Sequence, residues 1–346
     1  MRDLKNKLTS SKNTKNIKNR RGKSFGYQVL GFGAGGAAEV LSVEYLVIAG
    51  GGGANPSIYS GLAAGAGGFR TSVASATSGG GASAEPPFEA EYATPYTVTV
   101  GAGGPSQSTI GLSYTQNSAS GKGVSSVFAT VTSIGGGAGT YFQADKDVDM
   151  NDGGSGGSGP DLGPPNPPST TGQGTTGQGF NGGFNVVSSQ GGGGGAGQVG
   201  LNGAYVPGGP FGAGPGGAGI QSAINGSATY YAGGGGGGLW NYGSPGPAQG
   251  GGLGGTGGGG RGASALTNAP TGTTATAGSA NTGGGGGGSS GAPVAPFMGK
   301  AGGSGLVVVR FDDTVPDASA TNGSKTTTPG YKVYTFTQSG SIVFNK

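Results

Sequence analysis

The chain has 346 residues, of which 89 are glycine, about a quarter of the total where ordinary proteins hold ~7%. Glycine inside a helix costs roughly 0.5–1 kcal/mol per position relative to alanine, so this composition excludes α-helical and Rossmann-type folds. Only 9% of residues are charged, and with neither cysteine nor histidine the chain has no disulfides, thiolate nucleophiles, imidazole bases or Cys/His zinc sites.

The formal net charge of +4 conceals a polarity. Residues 1–24 hold nine bases, Arg2, Lys5, Lys7, Lys12, Lys15, Lys18, Arg20, Arg21 and Lys23, against Asp3, whereas the remainder holds nine against thirteen acids. This arm has no apolar periodicity. It is expected to be disordered when free and to anchor the chain on an acidic protein lattice in preference to nucleic acid, a solvated tail being the plainer alternative. No secretory signal follows it, and the longest apolar runs fall far short of the ~18 residues of a membrane span, so no membrane insertion is expected.

Beyond Ser24 the pattern is a strand running into glycine, repeated. Phe25–Leu30 leads to Gly31-Phe32-Gly33-Ala34-Gly35-Gly36, which matches a dinucleotide-binding fingerprint but has no helix to follow it, and such matches are common by chance at this glycine content. Val43–Ala49 runs into Gly50–Gly53, Tyr96–Val100 into Gly101–Gly104, and Ser126–Thr132 into Gly135–Gly137. β-branched residues and alternation mark these as strands. Asp145, Asp147 and Asp149 alternate as calcium ligands do, although Met150 and Gly156 stand where an EF-hand requires glycine and glutamate. Structural calcium is the one cofactor this run admits, with a solvated acidic turn as the alternative. Residues 153–179 read as an exposed loop, and glycine runs return at Gly191–Gly195, Gly233–Gly238, Gly257–Gly260 and Gly283–Gly288.

Glycine runs are best satisfied as three-fold extended helices of polyproline II type, rising ~3.1 Å per residue and bonding sideways to neighbouring rods. Aromatic residues near their ends either cap the rods or form contact platforms; Phe211, Tyr230, Tyr231, Trp240 and Tyr242 are the receptor-contact candidates. Tyr230-Tyr231 and Trp240-Asn241-Tyr242 flank one run, so only one of the two groups can face a given receptor. The last strand signals, Tyr331–Thr337 and Ser339–Phe344, read as a hairpin that pairs with the Val29 or Leu306 region.

The order of motifs from Glu44-Tyr45-Leu46-Val47-Ile48-Ala49-Gly50-Gly51-Gly52-Gly53, through Ala66-Gly67-Gly68-Phe69-Arg70, Tyr96–Gly104 and Val127–Gly137, to Gly299–Phe311, resembles the glycine-rich domain of phage tail-fibre and other phage structural proteins. That resemblance implies a virion protein without enzymatic activity, and its glycine blocks are similar to those of tail-fibre-tip adhesins, where polyglycine type II helices form a sandwich and loops contact a host receptor. The late position of the last strands and the basic arm depart from the pattern, and the arm, which a receptor-binding tip does not need, favours a protein fixed to a capsid or tail. The expected architecture is therefore all-β and irregular, with packed polyglycine type II helices framed by short strands and essentially no α-helix. The expected organisation is an arm at 1–24, a glycine-rich domain at 25–311, and a linker with hairpin at 312–346. Expected partners are other virion proteins, a host receptor and further copies of the chain.

Overall fold

The computed structural model describes residues 39–346 apart from 56–60, 75, 107–120, 140–149, 160–170, 187–188, 205–211, 242–249, 267–268 and 291–297. The expected anchor residues of the arm, the acidic run Asp145, Asp147 and Asp149, and the candidates Phe211 and Tyr242 lie outside the described residues, as does the Val29 region. Leu41–Lys346 form one compact unit. Among the described residues there is no α-helix, and the regular structure is β with one 3-10 turn at Gly79–Gly81.

Fourteen strands are described. A nine-stranded sheet runs β2-β1-β12-β14-β4-β5-β6, made of Phe69–Thr71, Val40–Ile48, Leu306–Asp312, Tyr331–Val343, Pro95–Thr99, Ser126–Phe128 and Val131–Ser133; β13 (Ser319–Thr328) pairs with β14, and β3 (Phe88–Glu91) with β1. The antiparallel ladders are in tight register, with Tyr45 opposite Val309 and Val309 opposite Tyr334. Two small sheets complete the unit, β7 (Ile220–Ser222) with β8 (Thr229–Tyr231), and β9 (Leu239–Asn241) with β10 (Ser264–Leu266) and β11 (Ala269–Thr273).

Alternation along the strands decides which side each residue serves. Leu41, Val43, Tyr45 and Val47 of β1 join Val307, Val309, Phe311, Phe336, Ile342, Phe344 and Phe128 in one buried cluster. Leu46, Ile48, Leu306, Val308 and Val333 face the other way and meet Phe69, Ala66, Ala196, Ile224 and Tyr231, which joins the sheet to the glycine body. The two apolar clusters thus lie in the sheet and on its underside, and Leu62 and Leu239 are buried apart from them in the glycine body. Rings fill the first cluster, with Phe311 and Tyr334 stacked at 5.8 Å and Phe88 edge-on to Phe128 at 5.3 Å.

The expected pairing of the last segment with the Leu306 region is present, but its expected shape is not. Tyr331–Thr337 and Ser339–Phe344 are not two arms of a hairpin; Tyr331–Val343 is a single strand whose first half pairs with β12 and whose second half pairs with β4. The hairpin is instead β13 with β14, closed by Pro329 and Gly330 between the paired residues Thr328 and Tyr331, where Gly330 takes a φ of +81°. The Thr-rich β13 had no apolar alternation to announce it: Thr321, Asn322, Ser324, Lys325 and Thr326 are exposed.

The sheet is nearly closed on itself. Gly68 N donates to Ile134 O at 2.8 Å, and Arg70 Nη1 on β2 donates to Thr132 O on β6 at 2.9 Å, so the two ends of the strand order meet. Closure leaves no free edge between β2 and β6 for another chain to extend.

Candidate functional site

What the described residues build is a lattice, and its construction can be followed residue by residue. From Gly233 to Leu239 successive backbone N–H groups point to three neighbouring segments in turn. Gly233, Gly236 and Leu239 donate to Gly257, Gly260 and Ala263; Gly234 and Gly237 donate to Gly217 and Gly214; Gly235 and Gly238 donate to Ala64 and Gly61. The carbonyls of the same run accept from three further neighbours: Gly285 and Gly288 bond Gly233 and Gly236, Gly255 and Gly252 bond Gly234 and Gly237, and Gly193 and Gln190 bond Gly235 and Gly238. One buried glycine run is thereby bonded in six directions, with donors and acceptors both used at every position from 233 to 238.

The same arrangement repeats around Ala49–Asn55. Ala49 and Gly52 donate to Gly68 and Gly65, Gly50 and Gly53 to Val124 and Gly121, and Gly51 and Ala54 to Gly303 and Lys300. In return Gly136, Gly104, Gly286 and Gly139 donate to Gly50, Gly51, Gly52 and Gly53. A buried segment without an apolar side chain must satisfy its backbone completely or lose about 1–3 kcal/mol for each orphaned group. Here the lattice satisfies it without a helix or a sheet.

Glycine is required because neighbouring backbones fill the space a side chain would occupy. A Cβ on Gly235 would stand 2.1 Å from Gly286 O, on Gly52 2.0 Å from Gly137 O, and on Gly193 2.0 Å from Ala64 O. No rotamer relieves such contacts because the obstruction is backbone.

The lattice has two unlike ends. At one end the glycine segments meet the sheet, and the chain turns back there through residues 175–178, 256–258 and 280–283 and the β7–β8 hairpin. At the other end lie described residues that flank the long connections: Asn55 N donates to Gly139 O, Ala204 and Gly212 pair with each other, Ser189 bridges Leu239, and Ser290 Oγ donates to Leu239 O. Asn55, Gly139, Ala204, Asn241 and Ser290, each the last described residue of its segment, lie at this end.

The aromatic candidates divide between these ends. Tyr230 and Tyr231 lie on β8 at the sheet end. Tyr231 is 5% exposed and packs with Ile224 and Ala232 beneath the sheet, and burial pushes its hydroxyl above the ordinary range. Strand alternation turns it inward, away from the surface on which a receptor contact would form. Tyr230 faces outward at 45% exposure. Trp240 lies on β9 at the opposite end, its backbone paired with Ala265, so the two aromatic groups flank one run as its length requires.

At the sheet closure Arg70 makes a bidentate contact with Glu85, Nε to Oε1 at 2.7 Å and Nη2 to Oε2 at 2.6 Å, and Glu85 also accepts from Tyr45 Oη at 2.8 Å. Burial, and next the hydrogen bond to Glu85, hold the Tyr45 hydroxyl well above its ordinary range. Arg310 pairs with Glu44 at 2.7 Å and lies 4.2 Å from the centre of the Tyr331 ring. Every charge in these two sets is matched within the set, and both brace the sheet. Among the described residues no group of three or more acidic, cysteine or histidine side chains is placed to hold a metal ion, and no helix is long and apolar enough to cross a membrane.

A family model described as the glycine-rich domain matches residues 26–312, most of the chain. The chain belongs to the glycine-rich domain family. No curated protein and no solved structure matches it. The glycine-rich domain match stops at Asp312, the last residue of β12, whereas the sheet also needs β13 and β14, which follow it.

Proposed function

We propose that this glycine-rich domain protein is a non-enzymatic structural component of a bacteriophage particle, in which the lattice is a rigid scaffold and the connections leaving its far face are presented to the host surface. The observation that carries the reading is the pairing of a glycine-rich interior held by backbone hydrogen bonds with one end at which Asn55, Gly139, Ala204, Asn241 and Ser290 end described segments. An interior of packed backbone resists deformation, and variation in exposed connections leaves it untouched. We further take the glycine runs to be polyglycine type II helices, since their hydrogen bonds change direction with a period of three.

In this reading the chain is located in the virion, its partners are other virion proteins and a host receptor, and it uses no cofactor unless the acidic run at Asp145, Asp147 and Asp149 takes calcium. A capsid decoration or head fibre is the second reading, favoured by the nine bases of residues 1–24 against a single acid. Particles from a lysate that expresses the gene, labelled with antibody against the purified chain and imaged by negative-stain electron microscopy, test both. Label at fibre tips supports the adhesin, label spread over the capsid supports the decoration, and particles without label overturn the virion assignment.

A further inference from the structure

The outer layer of the lattice carries a feature that the interior lacks. Three neighbouring outer segments, 198–204, 212–219 and 250–256, are joined by Leu201 N to Pro215 O at 3.0 Å and by Gly216 N to Leu253 O at 2.9 Å. Within each, all the glycines but Gly212 and Gly250 stand in directions in which another segment lies. In 212–219, a Cβ on Gly214 or Gly217 would meet Leu201 O or Gln198 O at 2.1 Å, and one on Gly216 or Gly219 would meet Gly234 O or Tyr231 O at 2.0 and 1.8 Å. The third direction belongs to residues 212, 215 and 218, and Pro215 and Ala218 occupy two of those places.

The neighbour repeats the rule. Gly252 and Gly255 face Gly214 O and Gly217 O at 2.2 and 1.9 Å, Gly251 and Gly254 face Gly262 O and Gly259 O at 2.1 and 2.0 Å, and the remaining direction holds Gly250, beside the Arg261 side chain, with Leu253, 62% exposed, and exposed Thr256. In 198–204, Gly200 and Gly203 face Gly192 O and Ser189 O at 2.1 Å, while Leu201 stands outward at 43% exposure. Side chains therefore begin where the lattice stops.

From this geometry we infer that Leu201, Pro215 and Leu253 are the stop of the lattice: they keep a glycine segment of a second copy of this chain from adding to this face. In the lattice contacts of Gly52, Gly193, Gly216, Gly235 and Gly252 a neighbouring carbonyl stands 2.0–2.2 Å from the place of a missing Cβ, so an outward Cβ at such a place holds a further segment off. Pro215 in addition offers no N–H in the outward direction. Exposed backbone that can be extended by a like element is an assembly hazard, and here it is closed by the outward side chains of Leu201, Pro215 and Leu253 where β-sheet edges use charges and bulges. The inference does not depend on the role of the protein in a particle.

The test compares two triple variants of the full chain by light scattering after size exclusion over a range of concentrations. Leu201→Gly/Pro215→Gly/Leu253→Gly is expected to self-associate, its mass rising by about twofold or more with concentration. Leu201→Ala/Pro215→Ala/Leu253→Ala, which removes the same apolar surface but keeps a Cβ at each place, is expected to behave as wild type. The inference is overturned if the glycine variant keeps the wild-type mass, if the alanine variant associates equally, or if wild type is already associated through this face and the glycine variant separates it. Should the triple glycine variant not fold, Leu253→Gly alone, at the most exposed of the three places, is compared with Leu253→Ala on the same criteria.

Discussion

Arg70 on β2 reaches Thr132 on β6, donating from Nη1 to the backbone carbonyl at 2.9 Å, and so joins the first and last strands of the sheet order. Its other two donors hold Glu85. Replacing Arg70 with alanine removes three charge-assisted hydrogen bonds at a partly buried place and leaves Glu85 with Tyr45 alone. The expected loss is about 2 kcal/mol, read from the urea midpoint, with Arg70→Lys recovering little because an ammonium cannot make the fork.

Tyr45 makes this region sensitive to alkali. Its hydroxyl, ordinarily titrating near pH 10.0, is pushed upward by burial and by Glu85. Above that pH the unfolded chain releases a proton that the folded chain keeps, so the unfolded state binds fewer protons and stability falls as pH rises. The decline reaches at most about 1.4 kcal/mol per pH unit for one such group. Tyr45→Phe is expected to flatten the fall in urea stability between about pH 9 and about pH 11, and an unchanged slope would show that Tyr45 does not contribute.

Within the lattice, neighbouring glycines should differ sharply in what they tolerate. Gly235→Ala places a Cβ 2.1 Å from Gly286 O and is expected to cost about 3 kcal/mol or more, the upper range for overpacking. Gly212→Ala meets only Ala204 Cβ at 3.8 Å and is expected to stay within about 0.5 kcal/mol of wild type. Thermal melts of the two variants under identical conditions check the contrast.

The paired tyrosines of β8 give a similar contrast. Tyr231→Ala empties part of the cluster that joins sheet to lattice and should lower stability by about 3 kcal/mol, whereas Tyr230→Ala should change it by less than about 0.5 kcal/mol. A large effect at Tyr230 in chemical denaturation would contradict the outward placement.

Deleting residues 319–346 removes β13 and β14, with Phe336, Ile342 and Phe344, all fully buried. The truncated chain is expected to lose the cooperative melt of the whole, not merely a tail, because β12 and β4 each lose their pairing with β14.

Much of this fold could be read from residue types, and the reasons are specific. β1 and β12 alternate β-branched and aromatic residues against glycine boundaries, and the long glycine runs could be satisfied in few other ways than by one another. Tyr230 and Tyr231 illustrate what could not be read, since adjacent identical residues are separated only by the face each strand position takes. β13 escaped notice because Ser319–Thr328 is polar and its strand state comes from pairing with β14, not from its own pattern. The outward places of the lattice do leave a trace in sequence, as in Gly214-Pro215-Gly216-Gly217-Ala218-Gly219, where the third-residue interruptions mark a direction in space. Reading them needed the neighbours' positions, because the all-glycine runs at Gly233–Gly238 and Gly283–Gly288 show no such interruption.

The six-direction bonding of Gly233–Gly238 also governs how the molecule comes into being. Its partners come from residues as distant in sequence as Gly61 and Gly288, and a lone glycine run recovers almost nothing for the backbone freedom it gives up until several of them are in place. Assembly of the lattice therefore resembles crystal nucleation: a cluster below a critical number of segments dissolves, and one above it grows to completion. A topology so dominated by long-range contacts is expected to fold slowly, and a high barrier on the same path would make its persistence a matter of rate as well as of equilibrium stability.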